Sequence, residues 1–479
     1  MKKQVEKDKS KKKLSIPLLG PFIFLILCLI YQNNLGIPIF LFVLYGYFKY
    51  RYPDFKDYNI LYIILLYLIS YVTGYYIVRG GWSIFCMPFI TIPMLATLLF
   101  NNLEISFILT LTTSVSIAEL HSPNPSYLWL LFLTSGLFSS IYIMGARKRA
   151  TIIHMGFMAG LVQFAAAVLM DKIWLFPGKN LLSLLGETKY SILLLNGIVS
   201  GIIVLGILPV FEYLFKTVTN ISLLELADSH QPLLQRLIQE APGTYYHSLV
   251  VGNLSENACQ VVTGANPLLA RIGAYYHDIG KLHKPEYFSE NQEEKNSKHS
   301  ALSASMSKLI IMNHIKEGIE LAKKHKLAPL LINFISQHHG NSLVYYFYRR
   351  ALEDLEEDQQ IKEEGFRYPW PKPNTKETAI VLLADSVEAA TRTLRYQSPA
   401  TIEEVVHKII NNKFIDGQLD ECDLTLKDLE KIAAVFIRTL SGIYRGRVGY
   451  PQEQERDNNR KKFPKEDSRQ SERDKKNHS

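Results

Sequence analysis

The stretch Pro267–Leu282, PLLARIGAYYHDIGKL, opens with a proline, runs through an apolar helical pattern and then sets His277, Asp278 and Lys281 within five residues. Proline is favoured at the first position of a helix, where its missing N–H costs nothing. The residues that flank this stretch repeat the theme. From about Phe215 onward the chain reads as amphipathic helices separated by Pro, Gly and polar breaks, with little of the alternation that marks strands. ISLLELADSHQPLLQRLIQEAPG (221–243) gives two short connecting helices. HSLVVGNLSENACQVV (247–262), SASMSKLIIMNHIKEGIELAKKH (303–325), APLLINFISQHHG (328–340), KETAIVLLADSVEAATRTL (376–394) and EEVVHKIINNKF (403–414) supply the rest. This half is expected to be all-helical.

The half before it is of another kind. Eight apolar runs follow one another: Ile16–Tyr31, Gly36–Tyr50, Asn59–Val78, Trp82–Phe100, Ile105–Leu120, Tyr127–Gly145, Thr151–Met170 and Tyr190–Phe215. Crossing a bilayer takes roughly 20 apolar helical residues, so the first two runs are short and the others adequate. Basic loops are retained on the cytoplasmic side. MKKQVEKDKSKKK (1–13), YFKYRYPDFKD (47–57) and GARKRA (145–150) are basic, whereas QNN and LHSPNPS are nearly free of Lys and Arg. The lysines within 171–189 run against this pattern without reversing it. The N-terminus and everything after Lys216 are therefore expected in the cytoplasm. The expected order is a basic N-terminus (1–15), a membrane domain of about eight spans (16–216), linker helices (217–243), a helical domain (244–444) and a polar tail (445–479) too poor in apolar residues to fold.

Of 479 residues, 48% are hydrophobic and 20% charged, and the net charge is +8. The positive charge sits at the N-terminus, in one short loop and in the tail. Membrane topology and lipid headgroups account for it without a nucleic-acid polymer. Cys28, Cys86, Cys259 and Cys422 are scattered, which excludes a disulfide framework or a zinc finger. Few charges interrupt the spans, and transport pathways usually need them.

Ten of the thirteen histidines lie between His230 and His407. Imidazole and carboxylate together suit iron, manganese or zinc. Candidates are His247, His277, Asp278, His314, His338, His339 and Asp385. Each alone is weak, since a single histidine on an apolar face is more often a hydrogen-bonded core residue, and QHHG is compatible with a helix C-terminus. Asp385, after the run AIVLLA, must find a cation or several donors if buried. The order H…HD…H…HH…D within one helical domain is far more specific than any member.

These residues resemble the HD-domain metal-dependent phosphohydrolases. Specifically, the chain is similar to the bacterial seven-transmembrane HD family whose members hydrolyse cyclic di-AMP. The resemblance runs from about Asn34 to about Tyr444 and is dense over Ile221–Leu394. It implies an all-α protein with a multi-span membrane domain and a cytoplasmic HD domain, binding two divalent transition metals, Mn or Fe. One metal would be held by His247, His277, Asp278 and Asp385, the other by Asp278, His314, His338 and His339, with Asp278 bridging. A hydroxide shared by the two would attack phosphorus and give pApA. Lys281, three residues after Asp278, would neutralise phosphoryl charge, and Arg392, Tyr246 and Tyr287 are candidate substrate contacts. Other nucleotides, such as cyclic di-GMP or a guanosine polyphosphate, stay open as substrates. So do homo-oligomerisation and a non-catalytic nucleotide receptor.

The family often has two histidines before the serine at the first site, where this chain has Tyr246-His247-Ser248. It tends to have Asn-Pro-His-Asp where this chain has Asn296-Ser297-Lys298-His299-Ser300, so the aspartate is missing. Relatives also commonly carry a large extracytoplasmic domain after the first span, and here about five residues around QNNLG join the first two runs.

Overall fold

The computed structural model describes residues 36–52, 57–120, 125–171, 186–292, 298–354, 361–394 and 396–444. Among these no strand occurs, and the only pairing of that type is an isolated bridge between Leu343 and Arg367. The expected span Ile16–Tyr31 and the polar ends of the chain lie outside the described residues.

The membrane half comprises α1 (Gly36–Arg51), α2 (Asp57–Arg79), α3 (Thr91–Phe100), α4 (Leu103–Leu120), α5 (Pro125–Ile143), α6 (Arg149–Met170) and α7 (Thr188–Phe215). All but α1 and α3 are long and apolar enough to cross a bilayer, which makes five such helices among the described residues. The run Trp82–Phe100, expected as one span, is not one helix. It forms a 3-10 turn at Ile84–Cys86 and then the ten-residue α3. Pro88 is the reason, because a residue before proline is pushed out of the helical region. Met87 accordingly sits at φ −67°, ψ 123°. At this break the carbonyls of Phe85 and Met87 accept hydrogen bonds from Asn196 Nδ2 of α7 at 3.0 and 2.5 Å. Irregular backbone at membrane depth needs such an internal donor.

Helices α6 and α7 meet along glycines. A Cβ on Gly197 would collide with the Gly156 carbonyl and with the Gly160 backbone, so only glycine permits this approach. Gly156/Gly160 and Gly197/Gly201 are thus a facing pair of small-residue seams of the kind that packs helices in lipid.

Beyond α7, Lys216 turns the chain in the left-handed region (φ 50°). There follow α8 (Asn220–Leu226), α9 (Pro232–Glu240), α10 (Pro242–Val261), α11 (Pro267–Tyr276), α12 (Ala304–Lys324), α13 (Pro329–Gln337), α14 (Tyr345–Glu353), α15 (Lys376–Arg392), α16 (Pro399–Ile415) and α17 (Leu426–Ile443). Five of these ten begin with proline at the first turn. Asn266, Ser303, Thr375, Ser398 and Thr425 cap α11, α12, α15, α16 and α17 with their side chains, supplying acceptors to otherwise orphaned N–H groups. One apolar core unites all of them but α14, with α15 at its centre: Ala379 to Ala384 are all fully buried, while Phe347 and Ala351 of α14 join a smaller cluster with Ala304 and Phe366.

Candidate metal centre

Five pieces of backbone converge beside that core. His247 lies in the second turn of α10. The chain leaves α11 at Tyr276, so that His277 and Asp278 stand at the junction with the 3-10 turn Ile279–His283. His314 comes from the middle of α12, His338 and His339 from the end of α13, and Asp385 from the middle of α15. Gly280 lets the His-Asp junction press against α12, because a Cβ there would collide with the His314 carbonyl. Gly340 (φ 54°) turns the chain immediately after His339.

All seven residues come together, and apart from His339 their side chains are nearly inaccessible. Asp278 lies at the middle. Its Oδ2 is 3.2 Å from His277 Nε2 and 3.7 Å from His247 Nε2, while its Oδ1 is 3.4 Å from His314 Nε2 and 3.6 Å from His338 Nε2. The two oxygens therefore face two different histidine pairs. Asp385 Oδ1 is 3.0 Å from His247 Nε2, and its Oδ2 is 3.4 Å from His339 Nδ1. Metal-sized groupings of ligand atoms fall at His247/His277/Asp385, His277/Asp278/His338 and His314/His338/His339.

Four of the five remaining ring nitrogens are bonded to the protein. His277 Nδ1 donates to the Ala274 carbonyl (2.6 Å), His314 Nδ1 to that of Ile311 (2.5 Å) and His338 Nδ1 to that of Ile335 (2.9 Å). Each bond fixes a tautomer in which Nε2 is left with its lone pair, as metal-binding histidines require. His247 Nδ1 donates to Glu388 Oε2 at 2.5 Å. The His339 ring stacks on Tyr368, with centroids 4.6 Å apart.

Charge in the site is unbalanced. Asp278, Asp385, Glu388 and Glu290 are buried carboxylates, and Lys281 is the ammonium among them. Its Nζ lies 2.7 Å from Asp278 Oδ2 and 2.5 Å from Glu290 Oε1. Burial opposes ionisation of Asp278, but His277 and Lys281 outweigh it and hold this carboxyl well below its usual range. Asp385 is likewise held low against burial by its hydrogen bond from His247. Burial disfavours the charged form of His247, yet Asp385 and Glu388 push it up to about 10. In contrast, burial drives His314 and His339 down, and it takes His338 down to about 3 with help from the neighbouring His277. Neutral His314, His338 and His339 beside ionised carboxylates form a donor set for divalent cations, and His247 joins it by giving up its second proton when a cation binds. His277 Nε2 and Asp278 Oδ1 are buried without a hydrogen-bond partner, the condition expected of atoms reserved for a metal. The residues fit two such ions.

Lys281 reaches Asp278 through a tight 3-10 turn. Arg392 is at the rim, its guanidinium 3.9 Å from Glu290 Oε2 and its side chain 35% exposed. Tyr246 is largely exposed, whereas Tyr287 packs on His299. His299 itself donates from Nε2 to the Tyr287 carbonyl at 2.8 Å and packs on Phe347, and His283 is solvent-facing. Glu388, Glu290 and Tyr368 were not anticipated. Glu388 alone had a readable signal, three residues after Asp385 on one helix and so on the same face.

Residues 22–219 match the family model described as 7TM receptor with intracellular HD hydrolase, and residues 244–390 match that of the HD domain. Cyclic-di-AMP phosphodiesterase PgpH of Bacillus subtilis (strain 168) is 41% identical over 323 residues, which are 67% of this chain and 44% of that protein. The protein of the same name from Listeria monocytogenes serotype 1/2a (strain 10403S) is 37% identical over 372 residues, 78% of this chain and 51% of that one. The chain spans about half the length of these relatives. A crystal structure of the L. monocytogenes PgpH HD domain in complex with cyclic-di-AMP is 43% identical, with a TM-score of 0.43, covering 45% of this chain and 100% of that one.

Proposed function

This chain belongs to the family of 7TM receptors with an intracellular HD hydrolase, and on that premise we propose that it is a membrane-anchored, metal-dependent phosphodiesterase that hydrolyses cyclic di-AMP to linear pApA. The HD domain and the N-terminus face the cytoplasm in this reading, as the basic loops favour. The substrate is taken from the curated relatives. The observation that carries the catalytic part is the placement of Asp278, each of whose oxygens faces a separate pair of histidines.

Two divalent cations, when bound, supply Lewis acidity toward a phosphate and a water acidic enough to serve as nucleophile. His247, His277 and Asp385 would hold one ion, His314, His338 and His339 the other, and Asp278 would bridge them. The chain does the rest. Backbone carbonyls and Glu388 aim the imidazoles, so little reorganisation is needed as charge develops. Burial excludes competing water. Lys281 brings a fixed positive charge to the phosphate, and Glu290 keeps its ammonium in place. In the overall reaction one P–O bond to a 3′ oxygen breaks and water adds across it. The site's chemistry favours this over a receptor that binds nucleotide without turnover, since no member of the ligand set is replaced.

The test is to incubate the purified full chain, loaded with manganese or iron, with cyclic di-AMP, cyclic di-GMP and guanosine polyphosphates. Conversion of cyclic di-AMP to pApA is expected. Rapid cleavage of another nucleotide with cyclic di-AMP untouched would overturn the substrate, and no cleavage of any would overturn the activity.

A further inference from the structure

Helix α8 is only seven residues long, yet it belongs to both halves of the molecule. Ile221 is buried in the core of the membrane half and Leu223 in the core of the HD half, each 1% exposed. Its two ends are tied to different membrane helices. At the first turn, Glu212 of α7 accepts hydrogen bonds from the Thr219 N–H and the Ser222 hydroxyl, both at 2.9 Å. At the last turn, Glu225 accepts a two-pronged contact from Arg149 at the start of α6, at 2.5 and 2.8 Å. Because one end is held by α6 and the other by α7, any relative displacement of those two helices must tilt α8.

The tilt has a defined recipient. The Leu226 carbonyl, one of the C-terminal carbonyls a helix leaves without an internal partner, accepts a 2.8 Å hydrogen bond from the Tyr276 hydroxyl of α11. Tyr276 is 1% exposed and directly precedes His277 and Asp278. No flexible residue separates this contact from the centre of the metal site. Helix α7 runs without interruption for 28 residues, with Pro209 inside it near the α8 end, about 42 Å at 1.5 Å per residue. It starts beside Asp171 at the end of α6, where Lys189 Nζ and the Tyr190 hydroxyl both lie 2.6 Å from the Asp171 carboxylate.

We infer that α8 is the element through which the membrane bundle sets the position of His277 and Asp278, with Tyr276 as the positioning residue at its HD end. The inference rests on the metal-centre reading and not on the identity of the substrate. It assigns the membrane half a task beyond anchoring: the relative placement of α6 and α7 is read out as the geometry of the bridging carboxylate.

The experiment uses the full chain in lipid nanodiscs, with manganese affinity measured by electron paramagnetic resonance of the free ion and backbone order by hydrogen exchange. Arg149→Gln, Glu225→Gln and Tyr276→Phe should each change manganese affinity by about two- to thirty-fold, the range such coupling networks carry. Each should also accelerate exchange of the amides at 277–281 while leaving α17 unchanged. The charge exchange Arg149→Glu with Glu225→Arg should return both readouts to within about two-fold of the original chain. Unchanged affinity and exchange in all three single variants would overturn the inference. So would acceleration spread evenly over the HD domain, the mark of a merely structural contact. If the unsubstituted chain bound no manganese, the metal-centre reading would fall instead, and the exchange pattern would still decide the link.

Discussion

Replacing Asp278 by asparagine should weaken the binding of two ions rather than one. The substitution keeps size and shape but removes the charge whose two oxygens face His247/His277 and His314/His338. The protein should still fold, because Lys281 keeps Glu290 as a buried partner at 2.5 Å. Ligand binding stabilises the folded state by about 2.7 kcal/mol when the ligand is present at a hundred times its dissociation constant. For an HD half of this size 1 kcal/mol moves the melting temperature by roughly 2–4 °C, so each ion should raise it by roughly 5–11 °C. If the substitution weakens each ion about a hundred-fold, the same concentration only reaches the new dissociation constant. The gain then shrinks to about 0.4 kcal/mol per ion, near 1 °C. Calorimetry with and without manganese reads the shift, and elemental analysis after dialysis reads the stoichiometry. Glu388→Gln is the control: Glu388 accepts a hydrogen bond from His247, a candidate ligand of one ion, so it should weaken that ion by about 10- to 100-fold and leave the other in place. An Asp278→Asn protein that kept two ions per chain and its full manganese-induced stabilisation would refute the reasoning.

Two further substitutions probe other parts of the site. Lys281→Met should retain both ions but lower kcat by about 10²- to 10³-fold, the usual loss when one donor to developing charge is removed; retained turnover in a metal-replete protein would dismiss its proposed role. Gly280→Ala should destabilise the HD half by at least about 1–3 kcal/mol through overpacking against the His314 carbonyl, read by chemical denaturation, and an unchanged midpoint would show that the loop relaxes freely.

Much of the site was legible because metal chemistry restricts residue type. Only a few side chains ligate divalent ions, so His277-Asp278, His338-His339 and Asp385 announce themselves by composition and order even though 108 positions separate the first from the last. Glu388 escaped notice for the opposite reason. A glutamate on a helix is ordinarily solvated, and only its 2.5 Å contact with His247 distinguishes it. Glu290 lies in a three-residue 3-10 turn and Tyr368 in irregular chain, both too short of periodicity for spacing to imply direction. In the membrane half, hydropathy located the apolar runs but not the interruption at Pro88, since hydropathy measures the solvent a segment prefers and says little about backbone continuity. Gly156, Gly160, Gly197 and Gly201 carried a small-residue pattern whose meaning depended on the two helices facing each other.

The sequence by itself determined the class of the protein: apolar runs require lipid or a core, prolines and capping residues set helix starts, and clustered imidazoles with carboxylates suit divalent cations. These are local properties, decided by each residue's own chemistry and its near neighbours. Only the tertiary structure decided which oxygen of Asp278 faces which histidine, that Lys281 answers to two carboxylates, and that α8 is fastened to both α6 and α7. Those facts depend on distances between residues far apart in the chain, and such distances exist only once the packing of buried side chains has set one arrangement of the helices.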